Sequence, residues 1–186
     1  MKLLQRIQKT DEEISARLVL PDQNAIAHKL AALIGHTCDS WYWLIGLLLI
    51  WRFTHGTVRK TAILWGLALA LLAVIVLGIK FLLRRPRPEG DWGNIYRATD
   101  PHSFPSGHAA RAMTIAILSL QFGNPIVFIL LLIWSALVGL SRVALRLHYF
   151  SDILVGWLLG GLSGWIALRF LPAVVEKLPE IFPFIA

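Results

Sequence analysis

The chain has 186 residues, 56% of them apolar and only 16% charged, with eight tryptophans and a mean hydropathy of +0.64. A soluble domain of this size carries roughly one-quarter charged residues, so the composition excludes an ordinary soluble protein and indicates a membrane one. The net charge of +7 does not indicate nucleic acid binding, because the basic residues sit between apolar runs and form no separate basic domain.

In chain order, residues 1–29 place Leu3, Leu4, Ile7, Ile14 and Leu18 among charges of both signs, which predicts an amphipathic helix at the membrane interface. The segment is too charged for a secretory signal peptide. Pro21 and Asp22 interrupt it, and residues 25–34 read either as an extension of the first span or as a short interfacial helix. Cys38, the single cysteine, excludes an internal disulfide and a multi-cysteine metal site, and reads as a small apolar residue near a helix end.

Five spans are expected, at 39–53, 61–83, 106–121, 125–145 and 153–170, with a sixth if residues 25–38 contribute one. Gly123 and Pro125 mark the turn between the third and fourth. Gly156, Gly160 and Gly164 form a small-residue stripe suited to close helix packing. The expected fold is therefore all-α, a polytopic transmembrane helix bundle. An N-terminal amphipathic segment covers 1–35, the transmembrane domain 36–171, and an interfacial tail, frayed from Leu171 by Pro172, Pro179 and Pro183, covers 172–186.

The third and fourth spans separate the loop of residues 84–105 from the turn at 146–152, which places both on one membrane face. Three polar clusters converge there. Lys80 and Arg87 lie seven positions apart, two helical turns, and supply a compact charge and a planar donor fork suited to phosphate. Arg84 and Arg85 read as an interfacial collar, and Arg97 adds to the positive charge. Ser106-Gly107-His108 opens an apolar helix: Ser106 is a good N-cap, Gly107 lets an anion approach the free amides, and His108 is placed to donate a proton. A simple capped helix start explains this triplet equally well. His148 and Asp152, four apart, share one face of a helical turn, where the carboxylate would fix the imidazole tautomer and leave the other nitrogen to attack. Arg142 lies close by in sequence.

Together, Lys80-x6-Arg87-Pro88, Pro105-Ser106-Gly107-His108 and Ser141-Arg142-x5-His148-x3-Asp152 resemble the three signature motifs of the type 2 phosphatidic acid phosphatase family, within the lipid phosphatase and vanadium haloperoxidase superfamily. The resemblance spans residues 80–152. It implies that His148 attacks phosphorus to form a phosphohistidine, that Asp152 orients it and that His108 is the general acid. Lys80, Arg87, Ser106, Gly107 and Arg142 would hold the phosphate. It implies no metal and no cofactor, a membrane lipid phosphate as substrate, and an active site on the external face. Arg52, Arg59 and Lys60, in the loop opposite the polar clusters, fit that orientation, while the basic N-terminus argues against it under five spans.

The expected activity is hydrolysis of a phosphomonoester or diphosphate on a polyprenyl diphosphate, phosphatidylglycerophosphate, phosphatidate or lipid A type of substrate. Trp92 and Tyr96 are either interfacial anchors or head-group selectors. The alternatives are a vanadate-dependent haloperoxidase-like enzyme, which the apolar spans disfavour, and a non-catalytic lipid-binding membrane protein. The oligomeric state is open.

Overall fold

The computed structural model describes residues 2–90, 98 and 100–181. Arg97, Trp92, Tyr96 and Pro183, named above, lie outside them. The described elements are helical: α1 (Lys2–Leu18), α2 (Ala25–His36), α3 (Ser40–Phe53), α4 (Gly56–Leu83), α5 (Gly107–Leu118), α6 (Pro125–Ala144) and α7 (Phe150–Ile181). A single 3₁₀ turn, Ser119–Phe122, follows α5. Local chemistry sets several boundaries. Asn24 caps α2 by accepting from the Ala27 amide, and Asn124 caps α6 with Pro125 in the first helical position. Gly123 takes φ of 63° to end the 3₁₀ turn, a backbone region that glycine enters without steric cost.

The expectation of five or six spans is not met. Among the described residues, three helices are long and apolar enough to cross a membrane: Gly56–Leu83, Pro125–Ala144 and Phe150–Leu178. A fourth span exists only if α2 and α3, bent by 41° at their junction, count as one. The segment expected to span at 106–121 is a helix of 12 residues, and α3 has 14. At about 1.5 Å per residue, each falls well short of a hydrocarbon core of about 30 Å. The sequence misled because apolarity in α5 serves burial in protein: Ala109, Ala110, Ala112, Thr114, Ile115, Ala116 and Leu118 are all buried. In the three long helices, by contrast, only 22–39% of the most apolar window is buried inside the protein. Their outward faces carry residues such as Val74, Leu130, Leu158 and Trp165, each more than half exposed, as a lipid-facing surface requires.

Helix α5 is the centre of the bundle. It packs on α7, α6 and α4, with Ile115 and Leu118 meeting Trp65, Leu69 and Ala167. The glycine stripe makes the α5–α7 contact possible. A Cβ at Gly156 would sit 2.7 Å from the Ser106 carbonyl oxygen, one at Gly164 would sit 2.7 Å from Ile117 Cβ, and one at Gly160 would collide with the Ala110 carbonyl. Helix α7 continues through Pro172 to Ile181, past the point where the sequence suggested fraying.

Helix α1 docks on α6 and α7 through a polar face. Asp11 and Ser15 are buried, and they satisfy the first amides of α7: Asp11 Oδ1 accepts from Ser151 N at 2.9 Å and Ser15 Oγ from Phe150 N at 2.9 Å. The free N–H groups that begin a helix are thus capped from another helix.

Candidate active site

The three polar clusters meet around a cavity of about 730 Å³. Its polar end is lined by Lys80, Arg87, Asp100, Gly107, His108, Arg111, Arg142 and His148. Leu69, Leu72, Ala73, Val76 and Leu77 of α4, with Leu33, form an apolar wall. The loop after α4 and the turn before α7 are in direct contact, since Arg87 Nη1 donates to the Leu147 carbonyl at 2.7 Å.

His148 sits where α6 unwinds. Arg146 adopts φ of 55°, and the Arg142 carbonyl accepts from both the Leu147 and His148 amides. Its ring is 2% exposed and held between two groups of opposite kind. Nε2 lies 3.2 Å from Arg87 Nη1, and Nδ1 lies 3.4 Å from Asp152 Oδ2, long for a hydrogen bond. A guanidinium donates and cannot accept, so Nε2 must carry the lone pair and Nδ1 the proton. Burial pushes the imidazole down to about 4, with Asp152 opposing and Arg87 and Lys80 reinforcing the shift. His148 is therefore a neutral base with its lone pair turned toward a cation, an arrangement in which Nε2 can become a nucleophile.

Asp152 is fully buried in the first turn of α7. Oδ2 accepts from the Tyr149 amide at 2.9 Å, the reach-back of a helix capping box, and Oδ1 accepts from Arg85 Nη1 at 2.9 Å. Arg85, which the sequence presented as an interfacial collar, is a structural clamp. It also donates to Ser151 Oγ and to Asp11 Oδ2, both at 2.7 Å, and stacks over Tyr149 with 4.0 Å to the ring centroid. Arg84 is an exposed helix-terminating residue with φ of 49°.

The cations are likewise pre-positioned. Lys80 is 2% exposed and donates to Asp100 Oδ2 and the His102 carbonyl. Arg87 donates to the Asp100 carbonyl at 2.8 Å and to Asp100 Oδ2 at 3.1 Å. Asp100 therefore pins both cations, a role nothing in its sequence neighbourhood signalled. The Arg142 guanidinium is buried against α2, where Gly35 leaves it room: a Cβ there would lie 2.6 Å from Nη1.

Ser106 caps α5, accepting from the Ala109 amide at 3.4 Å, and its own amide donates to the Asp152 carbonyl at 3.0 Å. It is fully buried and is not among the residues lining the cavity, whereas Gly107 and His108 are. A Cβ on Gly107 would project toward Val76, 3.6 Å from Cγ1. The structure thus brings Lys80, Arg87, Gly107, His108, Arg142 and His148 to one cavity, with Ser106 and Asp152 behind its wall.

Residues 61–176 match the model of the PAP2 superfamily, more than half of the chain. The chain belongs to the PAP2 superfamily. Among its PAP2 relatives, an undecaprenyl-diphosphatase of Sulfolobus acidocaldarius is 34% identical over 143 residues, covering 74% of this chain and 64% of that protein. Sphingosine-1-phosphate phosphatase 1 of Rattus norvegicus is 33% identical over 121 residues, covering 59% of this chain and 26% of that protein. The chain therefore spans less than two-thirds of the length of these relatives. Among solved structures, the transmembrane PAP2-type phosphatidylglycerolphosphate phosphatase from Bacillus subtilis superposes with a TM-score of 0.77 at 25% identity, covering 91% of this chain and 88% of that one.

Proposed function

We propose that the protein is an integral-membrane lipid phosphatase acting through a phosphohistidine at His148. One observation carries this reading. A neutral His148 turns its Nε2 lone pair toward Arg87 at the cationic end of a cavity whose other wall is the apolar face of α4. A phosphate and a hydrocarbon chain joined in one molecule fit such a cavity, and the similarity to phosphatases of lipid phosphates supports the same reading.

In this mechanism Lys80, Arg87, Arg142 and the first amides of α5, from Gly107 onward, take the phosphate oxygens, with Ser106 holding that helix start from behind the cavity wall. His148 Nε2 attacks phosphorus, and the charge that builds on the ring is balanced by Asp152. His108 protonates the leaving oxygen, worth about 10²–10⁴-fold in rate. Water then displaces phosphate from the histidine. The fixed cations stabilise the equatorial charge of the transition state without reorganising. The site faces the external side of the membrane, supported by Arg52, Arg59 and Lys60 in the loop region opposite it.

The test is a phosphate-release assay in detergent or nanodiscs across polyprenyl diphosphate, phosphatidylglycerophosphate, phosphatidate and lipid A, with and without a chelator. Release from at least one class, insensitive to the chelator, is expected. No release from any of them would count against the reading.

A further inference from the structure

The second histidine of the cavity has a carboxylate of its own, and it comes from the other end of the chain. His108 Nε2 lies 2.8 Å from Asp39 Oδ1, across 69 residues of sequence. The other oxygen, Asp39 Oδ2, lies 2.8 Å from Nδ1 of His36. All three residues line the cavity that holds His148. Asp39 occupies the N-cap of α3, where an aspartate ordinarily accepts from the helix's own amides, but it makes no such bond. Both oxygens are turned to histidines instead, while the free N–H groups of the helix start still favour its negative charge.

The surroundings of His108 explain what that carboxylate is for. The charged groups facing the ring are Asp39 from the α2–α3 junction, Arg111 one turn along α5, and Arg142 from α6. Burial disfavours the imidazolium most, Arg142 and Arg111 also disfavour it, and the net effect holds the ring well below its ordinary range. Asp39 is the opposing influence among these groups. An entering phosphate brings further negative charge to the same cations and shifts the balance back toward the protonated ring.

We propose that Asp39 is the positioning residue of the general acid: it holds one N–H of His108, so that the ring stays oriented and can carry a second proton for the leaving oxygen. This rests on the phosphatase reading above. In the step itself a bond forms from His148 Nε2 to phosphorus as the P–O bond to the lipid breaks, and an N–H bond of the His108 imidazolium breaks as an O–H bond forms on the departing alcohol. Water later hydrolyses the phosphohistidine, an O–P bond forming as the N–P bond breaks, and the proton released reaches His108 through solvent, so the acid is regenerated and nothing else is consumed. His36, half exposed at the cavity edge, shares the same carboxylate and links it to solvent.

The test compares Asp39→Asn with the wild type on two substrates, a lipid phosphomonoester with an alkyl leaving group and an aryl phosphate whose leaving group needs no proton. With the alkyl substrate, kcat is expected to fall by about tenfold or more, part of the roughly 10²–10⁴ a general acid supplies. The alkaline limb of its pH profile moves to lower pH, because the imidazolium has lost its stabilising charge. With the aryl substrate kcat changes little, and Asp39→Glu restores part of the alkyl activity. Equal losses on both substrates with an unmoved pH limb, or no loss on either, would overturn the proposal. His36→Gln gives a second reading if Asp39→Asn does not fold: a smaller loss confined to the alkyl substrate is expected, and a uniform loss contradicts it. Wild-type protein that hydrolyses neither substrate would overturn the phosphatase reading itself, which separates the two failures.

Discussion

His148 and His108 face one cavity, but their carboxylates are built differently. Asp152 is wholly buried, fixed by Arg85 and the Tyr149 amide, and belongs to the same turn as the histidine it serves. Asp39 sits at a helix junction, is about one-eighth exposed, and shares its charge with the half-exposed His36. The first pair suits a group that must keep one tautomer and one direction. The second suits a group that must give up a proton and take it back, which needs a path to water. In the proposed reaction these are the separate needs of a nucleophile and an acid, and the difference in burial follows the difference in task.

Substitutions should separate the two pairs in a definite order. His148→Ala is expected to bring phosphate release from a lipid substrate below detection, on alkyl and aryl leaving groups alike. Asp152→Asn keeps the shape but removes the charge and the preference for Nδ1–H. By the behaviour of the orienting aspartate in a Ser-His-Asp triad, a loss of about 10⁴-fold in kcat is expected, again on both substrate types. His108→Ala should instead lose about 10²–10⁴-fold only where the leaving group is poor. A loss with His108→Ala that ignores the leaving group would erase the distinction between the two histidines.

A fourth substitution tests what holds the two pairs in register. Gly160→Ala places a methyl group against the Ala110 carbonyl, where there is no room, so α5 and α7 must part. Overpacking of this kind costs about 1–3 kcal/mol, visible as a lower Tm in detergent together with reduced kcat. An unchanged Tm would show that the α5–α7 contact is looser than described.

The smallest expected effect concerns pH. The folded His148 is held near 4 against an ordinary 6.5, so between those values the unfolded chain binds the proton and the native one does not. His148 therefore contributes no penalty above about 6.5 and lowers stability progressively as pH falls toward 4. The Tm of the wild type should drop more steeply across that window than that of His148→Gln. Parallel curves would mean that His148 titrates normally in the fold.

The pattern of what could be read from sequence follows from range. His148 and Asp152 are one helical turn apart, and Ser106 precedes an apolar run, so local periodicity and capping rules reach them. The glycine stripe was legible for the same reason. Asp39 and Asp11 were not, because each finds its partners only after the bundle folds: Asp39 meets His108, and Asp11 meets Arg85 and Ser151. Arg85 looked like surface charge because the sequence does not show that a carboxylate from α1 and another from α7 close around it. The number of spans failed for a related cause. An apolar run is equally compatible with lipid and with a protein core, and α5 belongs to the core.

The central claim is that phosphorus passes through His148. Rapid quenching of the enzyme with a phosphate-labelled lipid, followed by peptide mapping under alkaline conditions that preserve phosphohistidine, tests it most directly. The account predicts label on His148, absent from His148→Ala and accumulating when hydrolysis of the intermediate is slowed. Label on Ser106, or turnover with no covalent phosphate at any time point, would contradict it.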